Sequence, residues 1–485
     1  MKIGFVIAAW TVVVINIIAV FFFDVPFGLF MVPISLCGAI SLYHVVRLIV
    51  LSKRRGVLLP LVFYFYCTIF FATYLAPILH YSVNFWLMAN NTLILPKKWD
   101  YWVFLVGLLN LIGLLIFVQV YKFFRNKKFI NRKIWLPSKN RNKYFYVYLL
   151  AAVSILVQIY IYAKLGGISG YVDTYETRVE DGGFAGFGVF FIISEFFPII
   201  LVFLFYIRAQ SDENFKSAKY IFLFLIFLFI TCLLFGGLRG SRSNTILTVM
   251  HAGMLIHFFI RKFSVKEISI GLVCLVSFMY VYKFYKQGGT EAVKAYYEGR
   301  IDYSNEKYDF GLVQLLLNDF ARADIQPYLI YRYENSSYIP KYGLTYFGGI
   351  LHYVPPSLIS YTGPTKKKAA TELLYGRPGE SLGWYSTRIY GMLGEYILNF
   401  GYHTSFLIFV PLGIFLAFLD KWAASLERGD LRNFLYPLLI IMIILLFSTD
   451  FDNLVFFFMK RIFLVMVIIK VGSDKYIRRV STNVQ

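Results

Sequence analysis

Apolar runs long enough to cross a bilayer recur along the whole chain, and they leave few folds open. A spanning helix needs about 20 mostly apolar residues. Runs near that length fall at about 3–23, 29–50, 57–78, 101–121, 144–164, 185–207, Tyr220–Phe235, Thr245–Ile260, 267–283, 402–420, 433–448 and 454–470. The chain is 59% hydrophobic and only 15% charged, whereas a soluble domain is roughly half apolar and a quarter charged. The expected fold is an all-α polytopic membrane protein with about 12 transmembrane helices. The first run follows Lys2 directly and no small-x-small cleavage site follows Phe23, so an uncleaved first span is expected. Cys37, Cys67, Cys232 and Cys274 all lie in apolar runs without metal-ligand spacing and are expected to be small core residues.

The net charge of +21 follows from where Lys and Arg collect. A loop from Lys122 to Lys143 is strongly basic and holds no acid, which reads as a cytoplasmic anchor. Alternating outward from it puts the clusters at 53–55, 208–219, 261–266, 421–432 and 475–479 on the same side, with both termini. Anionic headgroups then account for the charge, and no basic–aromatic pattern or motif points to nucleic acid. Three parts follow: a nine-span bundle over 1–283, a large extracytoplasmic loop over 284–401, and a three-span bundle with a cytoplasmic tail over 402–485. The large segment is too charged to span and too aromatic to be disordered, so amphipathic helices on the membrane surface are expected there. The segment 166–183, glycine-rich and acidic, is expected to be an outer loop.

One turn breaks the charge rule. Gly236-Gly237-Leu238-Arg239-Gly240-Ser241-Arg242-Ser243-Asn244 puts two arginines on the outer side between two spans. A turn that opens a helix has free N–H groups and a positive dipole end. Ser241, Ser243 and Asn244 suit an N-cap. With Arg239 and Arg242 added, the turn suits a phosphate or pyrophosphate, which the planar guanidinium grips through two oxygens. A pair of arginines resting on lipid headgroups is the plainer alternative.

Other outer-face residues carry possible chemistry. Asp319, Arg322 and Asp324 come together if 318–324 is helical. His352 precedes the Pro355-Pro356 turn. Lys366-Lys367-Lys368 reads as a solvated or lipid-facing patch. Glu395, at the entrance to the tenth span, is a carboxylate that is expensive to bury without a task. Asp450 and Asp452 sit in the turn before the last span. The sequence holds no HExxH, CxxC, P-loop or GxGxxG, and six histidines are scattered, so neither a metal nor a cofactor is expected.

Taken in order, these features resemble the oligosaccharide repeat-unit polymerases, the Wzy group of O-antigen and enterobacterial common antigen polymerases. Gly240-Ser241-Arg242-Ser243-Asn244 resembles that family's Gly-x-Arg-x-Asn turn. Gly166-Gly167 with Tyr171 and Arg178 resembles its first outer loop. Phe320-Ala321-Arg322-Ala323-Asp324 resembles an Arg-bearing element of its large loop. Val354-Pro355-Pro356-Ser357 with Gly363-Pro364-Thr365-Lys366 resembles its proline segment. Gly394-Glu395-Tyr396 with Asn399-Phe400-Gly401 resembles its Gly-Glu-x-Tyr-x-Asn-Phe-Gly pattern, and Lys460-Arg461 its late arginine. The likeness covers about 160–465.

The resemblance implies a GT-C-like, metal-independent glycosyltransferase of the bacterial inner membrane, with its active site on the periplasmic face. A growing glycan on undecaprenyl pyrophosphate would be the donor and one lipid-linked repeat the acceptor. A chain-length regulator and a flippase are the implied partners. Arg239, Arg242, Arg322 and Arg178 would then stabilise the leaving pyrophosphate, with Tyr171, Asn244, Asp324 and Arg461 as further binding residues. Glu395 or His352 would be the base, with Asp324 behind them. Three rivals stand beside this reading: an O-antigen ligase, a lipid-linked oligosaccharide flippase and a non-catalytic assembly subunit. The size of 284–400 and the sparse charge within the spans count against the flippase.

Overall fold

The computed structural model describes the chain except residues 1, 24, 87–94, 128–132, 139, 182–183, 185–186, 301–316, 318–322, 352–358, 360, 377, 383–384, 386–387 and 478–485. The described chain is almost entirely helical, with one two-stranded sheet. Ten of its helices are long and apolar enough to cross a membrane. The protein is an all-α polytopic membrane protein. The expected eighth and twelfth spans are also helical, but they fall outside the ten. The helix Arg242–Phe259 opens on Arg-Ser-Asn, and the helical run over 451–472 carries Asp452, Lys460, Arg461 and Lys470. Both are diluted by polar residues that bear on the functional site.

The chain divides into two compact units. The first comprises Met1–Ile130, Gly311–Ser425 and Met442–Phe457. Its spanning helices are Gly4–Phe22, Met31–Arg55, Leu61–Ser82, Trp99–Arg125 and Ser405–Ala424. Pro60 leads into Leu61–Ser82, and the buried Asp420 carboxylate accepts from Leu61 N at 2.5 Å, Val62 N at 3.3 Å and the Tyr121 hydroxyl at 2.6 Å. One side chain thereby satisfies two of the orphan N–H groups that every helix start carries. The described helices of the large polar segment bury apolar faces against the spanning helices of this unit. Ile325–Glu334, Lys366–Tyr375 and Gly391–Phe400 send Tyr328, Leu329, Leu373, Ile397 and Leu398, with Tyr390 just ahead of the last helix, into one core with Tyr74, Trp99 and Val106 of the spanning helices.

The second unit comprises Asn131–Phe310, Leu426–Ile441 and Phe458–Gln485. Strands Lys133–Pro137 and Ser473–Ile477 pair antiparallel, Ile134 opposite Tyr476 and Leu136 opposite Asp474. Lys143 Nζ meets Asp474 Oδ1 at 2.5 Å, and the Ser138 hydroxyl donates to Asp474 Oδ2 at 2.7 Å, so the basic loop is tied to the chain's last segment.

Several elements differ from the expected ones. Residues 167–181 form a helix, Gly167–Asp181, rather than a loop. The sixth span is broken: Gly188–Ser194 stops before Glu195, and Phe197–Ser211 restarts with Pro198 in its first turn, where a missing N–H does no harm. The ninth continues as Val265–Tyr297, into the segment expected to be polar loop. Its apolar part is 6% buried, a face given over to lipid, and Cys274 on it is exposed rather than core.

Candidate functional site

The arginine turn belongs to the second unit and is built by close packing. Gly240 has φ +85°, and a Cβ there would meet the Tyr175 ring at 2.1 Å. A Cβ on Gly236 would meet Asn244 Nδ2 at 2.9 Å and Glu195 Oε1 at 3.0 Å. The glycines therefore let the backbone lie directly on a carboxylate and an aromatic ring. Tyr285 donates to Leu238 O at 2.5 Å, and Tyr282 donates to Gly237 O. These two tyrosines come from Val265–Tyr297, so the turn's carbonyls are held by a neighbouring helix.

At its centre lies a residue the sequence reading passed over. Glu195, at the break in the sixth span, is 0% exposed at its side chain. Arg239 and Lys460 both form ion pairs with it, and Asn244 Nδ2 donates to Oε2 at 2.8 Å. Arg461 completes the group. Its guanidinium donates to Asn244 Oδ1 at 2.5 Å, Asn244 O at 2.9 Å and Thr248 Oγ1 at 3.0 Å. The Asn244 carboxamide thus bridges a carboxylate and a guanidinium. It does not cap its helix. Ser241 occupies the N-cap position but makes no side-chain capping bond, which corrects the capping role expected for this turn.

The electrostatics are lopsided. Arg461 is 3% exposed, and the oxygens it holds are all neutral. Glu195 is the carboxylate that Arg239 and Lys460 share. A buried cation without a carboxylate of its own raises the positive potential of an apolar site. Arg239 also lies over the Phe191 ring at 3.9 Å, and its side chain stays 24% exposed. The spans are therefore not sparse in charge where it matters, contrary to expectation. Three charged side chains are buried within them in one network. The arrangement can hold an anion with several oxygens, such as a phosphate.

Of the residues expected to act here, the structure brings together Arg239, Asn244, Arg461 and Tyr171. Tyr171 is fully buried, edge-on to Tyr162 at 5.1 Å, and interacts with the Arg239 guanidinium. Arg242 is the partly exposed first residue of Arg242–Phe259. Arg178 lies in the helix Gly167–Asp181, with its side chain outside the described residues. Arg322 and His352 also lie outside the described residues. Glu195 and Lys460 were missed. A carboxylate just ahead of a proline inside an apolar run was the available signal for Glu195.

The first unit carries a second polar cluster. Glu395 is buried in Gly391–Phe400. Thr345 Oγ1 donates to its Oε1 at 3.0 Å and Phe451 N to its Oε2 at 2.7 Å. Burial, reinforced by the charge of Asp450, pushes the Glu395 carboxyl up to about 8. Asp450 accepts from Lys366 Nζ at 2.6 Å and from Tyr390 N at 2.7 Å. Lys366 is 5% exposed, so it is no solvated patch. Burial would lower its ammonium, but Asp450 and Asp452 outweigh that and hold it above its ordinary range. Asp324 is fully buried immediately ahead of Ile325–Glu334. A small cavity of about 30 Å³ adjoins this region, lined by Thr73, Asn110, Gln326, Tyr390 and Ser448 among others. Among the described residues no group of three or more His, Cys, Asp or Glu is arranged to hold a metal ion.

Compared with known protein families, with curated proteins and with solved structures, the chain matches none.

Proposed function

We propose that the protein is a membrane glycosyltransferase of the repeat-unit polymerase type. It transfers a growing glycan from undecaprenyl pyrophosphate onto a lipid-linked repeat in the bacterial inner membrane. The observation that carries this reading is the cluster of Arg239 and Lys460 on Glu195 with Arg461 joined through Asn244, of which Glu195, Lys460 and Arg461 are buried and which is richer in cations than in carboxylates. The acceptor hydroxyl attacks the anomeric carbon, the glycosidic bond to the donor phosphate breaks, and charge develops on the departing pyrophosphate. Preorganised guanidinium donors lower that barrier, and loss of one such donor raises it by roughly 3–4 kcal/mol. In this reading Arg242, Arg322 and Arg178 are further cations available to the pyrophosphate. Glu395 supplies acid–base capacity, since a carboxyl titrating at about 8 both holds and releases a proton near neutral pH.

The reading includes a GT-C-like arrangement of twelve spans with both termini cytoplasmic. The helices Arg242–Phe259 and 451–472 count as the two spans beyond the ten most apolar ones. The pairing of Lys133–Pro137 with Ser473–Ile477 supports putting the basic loop and the C-terminal tail on one side.

The charges buried within spans also favour a second reading, a flippase for the same lipid-linked anion. The deletion phenotype separates the two. A strain lacking the gene is expected to carry a single repeat on its surface lipid and no ladder. Loss of even the single repeat contradicts the polymerase and favours the flippase or the ligase.

A further inference from the structure

Glu195 holds the place an incoming anion needs. The carboxylate takes the donors of Arg239, Asn244 and Lys460, yet the site around it is not fully satisfied. The Tyr171 hydroxyl faces the Arg239 guanidinium, which is its nearest polar partner. Arg239 Nε and the Thr245 hydroxyl are buried, and neither completes a hydrogen bond with any described residue. Buried polar atoms left in that state destabilise a fold unless something else meets them. One carboxylate has two oxygens, whereas a phosphate has three or four and more charge. The larger anion would use donors that Glu195 leaves idle. Arg239, partly exposed, gives the approach. Glu195 stands at the two-residue break in the sixth span, between Ser194 and Phe197.

We propose that Glu195 is a resident surrogate for the ligand's phosphate. It neutralises Arg239 and Lys460 while the site is empty and gives them up when a phosphate-bearing ligand arrives. This rests on the reading of the cluster as the seat of a lipid-linked pyrophosphate. It adds the identity of the group that must leave and sets Glu195 against the ligand, where a positioning residue would help it.

The test is a titration of the full-length protein in nanodiscs with inorganic pyrophosphate as the probe. Wild type is expected to bind weakly, Glu195→Gln about ten-fold more tightly, and Arg461→Gln more weakly than wild type. If Glu195→Gln binds no better than wild type, Glu195 only positions its partners and the proposal is overturned, while the phosphate reading stands. If no form binds and Arg461→Gln changes nothing, the phosphate reading itself falls. Nanodiscs with and without phosphatidylglycerol tell the sources apart. If that lipid suppresses pyrophosphate binding, a phospholipid headgroup is the resident ligand. If it has no effect, the assignment stays with pyrophosphate. An infrared difference spectrum of wild type keeps the test independent of the variant's folding. The Glu195 carboxylate band is expected to shift as pyrophosphate binds, and an unchanged band at saturation overturns the proposal.

Discussion

Glu395 and Lys366 show how single buried charges set testable properties. The Glu395 carboxyl titrates near 8 in the folded protein, against about 4.3 in an unfolded chain. A raised carboxyl pKa stabilises the fold while the group is protonated. That contribution is complete below the unfolded value and is lost as pH rises through the folded one. Thermal unfolding in detergent should therefore show wild type and Glu395→Gln alike near pH 4. Wild type should fall progressively behind as pH climbs to about 8; parallel curves across this window would contradict the assignment. The Lys366–Asp450 pair makes a second case. Removing one partner of a buried pair costs about 3–5 kcal/mol, because the other charge is left alone. Lys366→Met should lower the melting temperature sharply, and adding Asp450→Asn should restore much of the loss. Additive losses in the double variant would show that the two do not act as a pair.

At the scale of elements, the arginine turn shows what glycine does. Gly240 adopts a left-handed backbone against the Tyr175 ring, and a side chain in that region costs about 1–2 kcal/mol before any clash. Gly240→Ala should destabilise the protein by more than that. Gly253→Ala, where nothing lies within 4 Å of the new Cβ, should be neutral or slightly stabilising. Equal effects would mean that the turn is not under this constraint. The turn's glycines and arginines were legible in the sequence because they interrupt two apolar runs. Glu195 was not, because its three partners come from residues 239, 244 and 460, and only the folded chain brings them together. For the same reason Lys366 read as one of three equal lysines, although the fold buries it against Asp450. The helix Gly167–Asp181 was hidden by glycines that sit at its start, where they do least harm.

At the scale of the whole molecule, apolar run length was enough to give the class, since a bilayer demands about 20 residues per crossing whatever the tertiary contacts. It could not give the contacts that the polar segment makes with the spanning helices. The residues that bury it, Tyr328, Leu373, Tyr390 and Ile397, are scattered among charged neighbours. Two of the twelve runs read as spans are more polar than the rest. The helices bearing Arg242, Asn244, Lys460 and Arg461 are the two too polar to rank with the rest. In the proposed function this polarity meets a phosphate. The most direct test is the glycan ladder of a deletion strain complemented with wild type, Arg461→Gln or Arg242→Ala, at matched membrane levels. Wild type should restore the ladder, Arg461→Gln should leave a single repeat, and Arg242→Ala should shorten or abolish polymer. A full ladder from Arg461→Gln would contradict a role in holding pyrophosphate and reduce the cluster to a structural ion network.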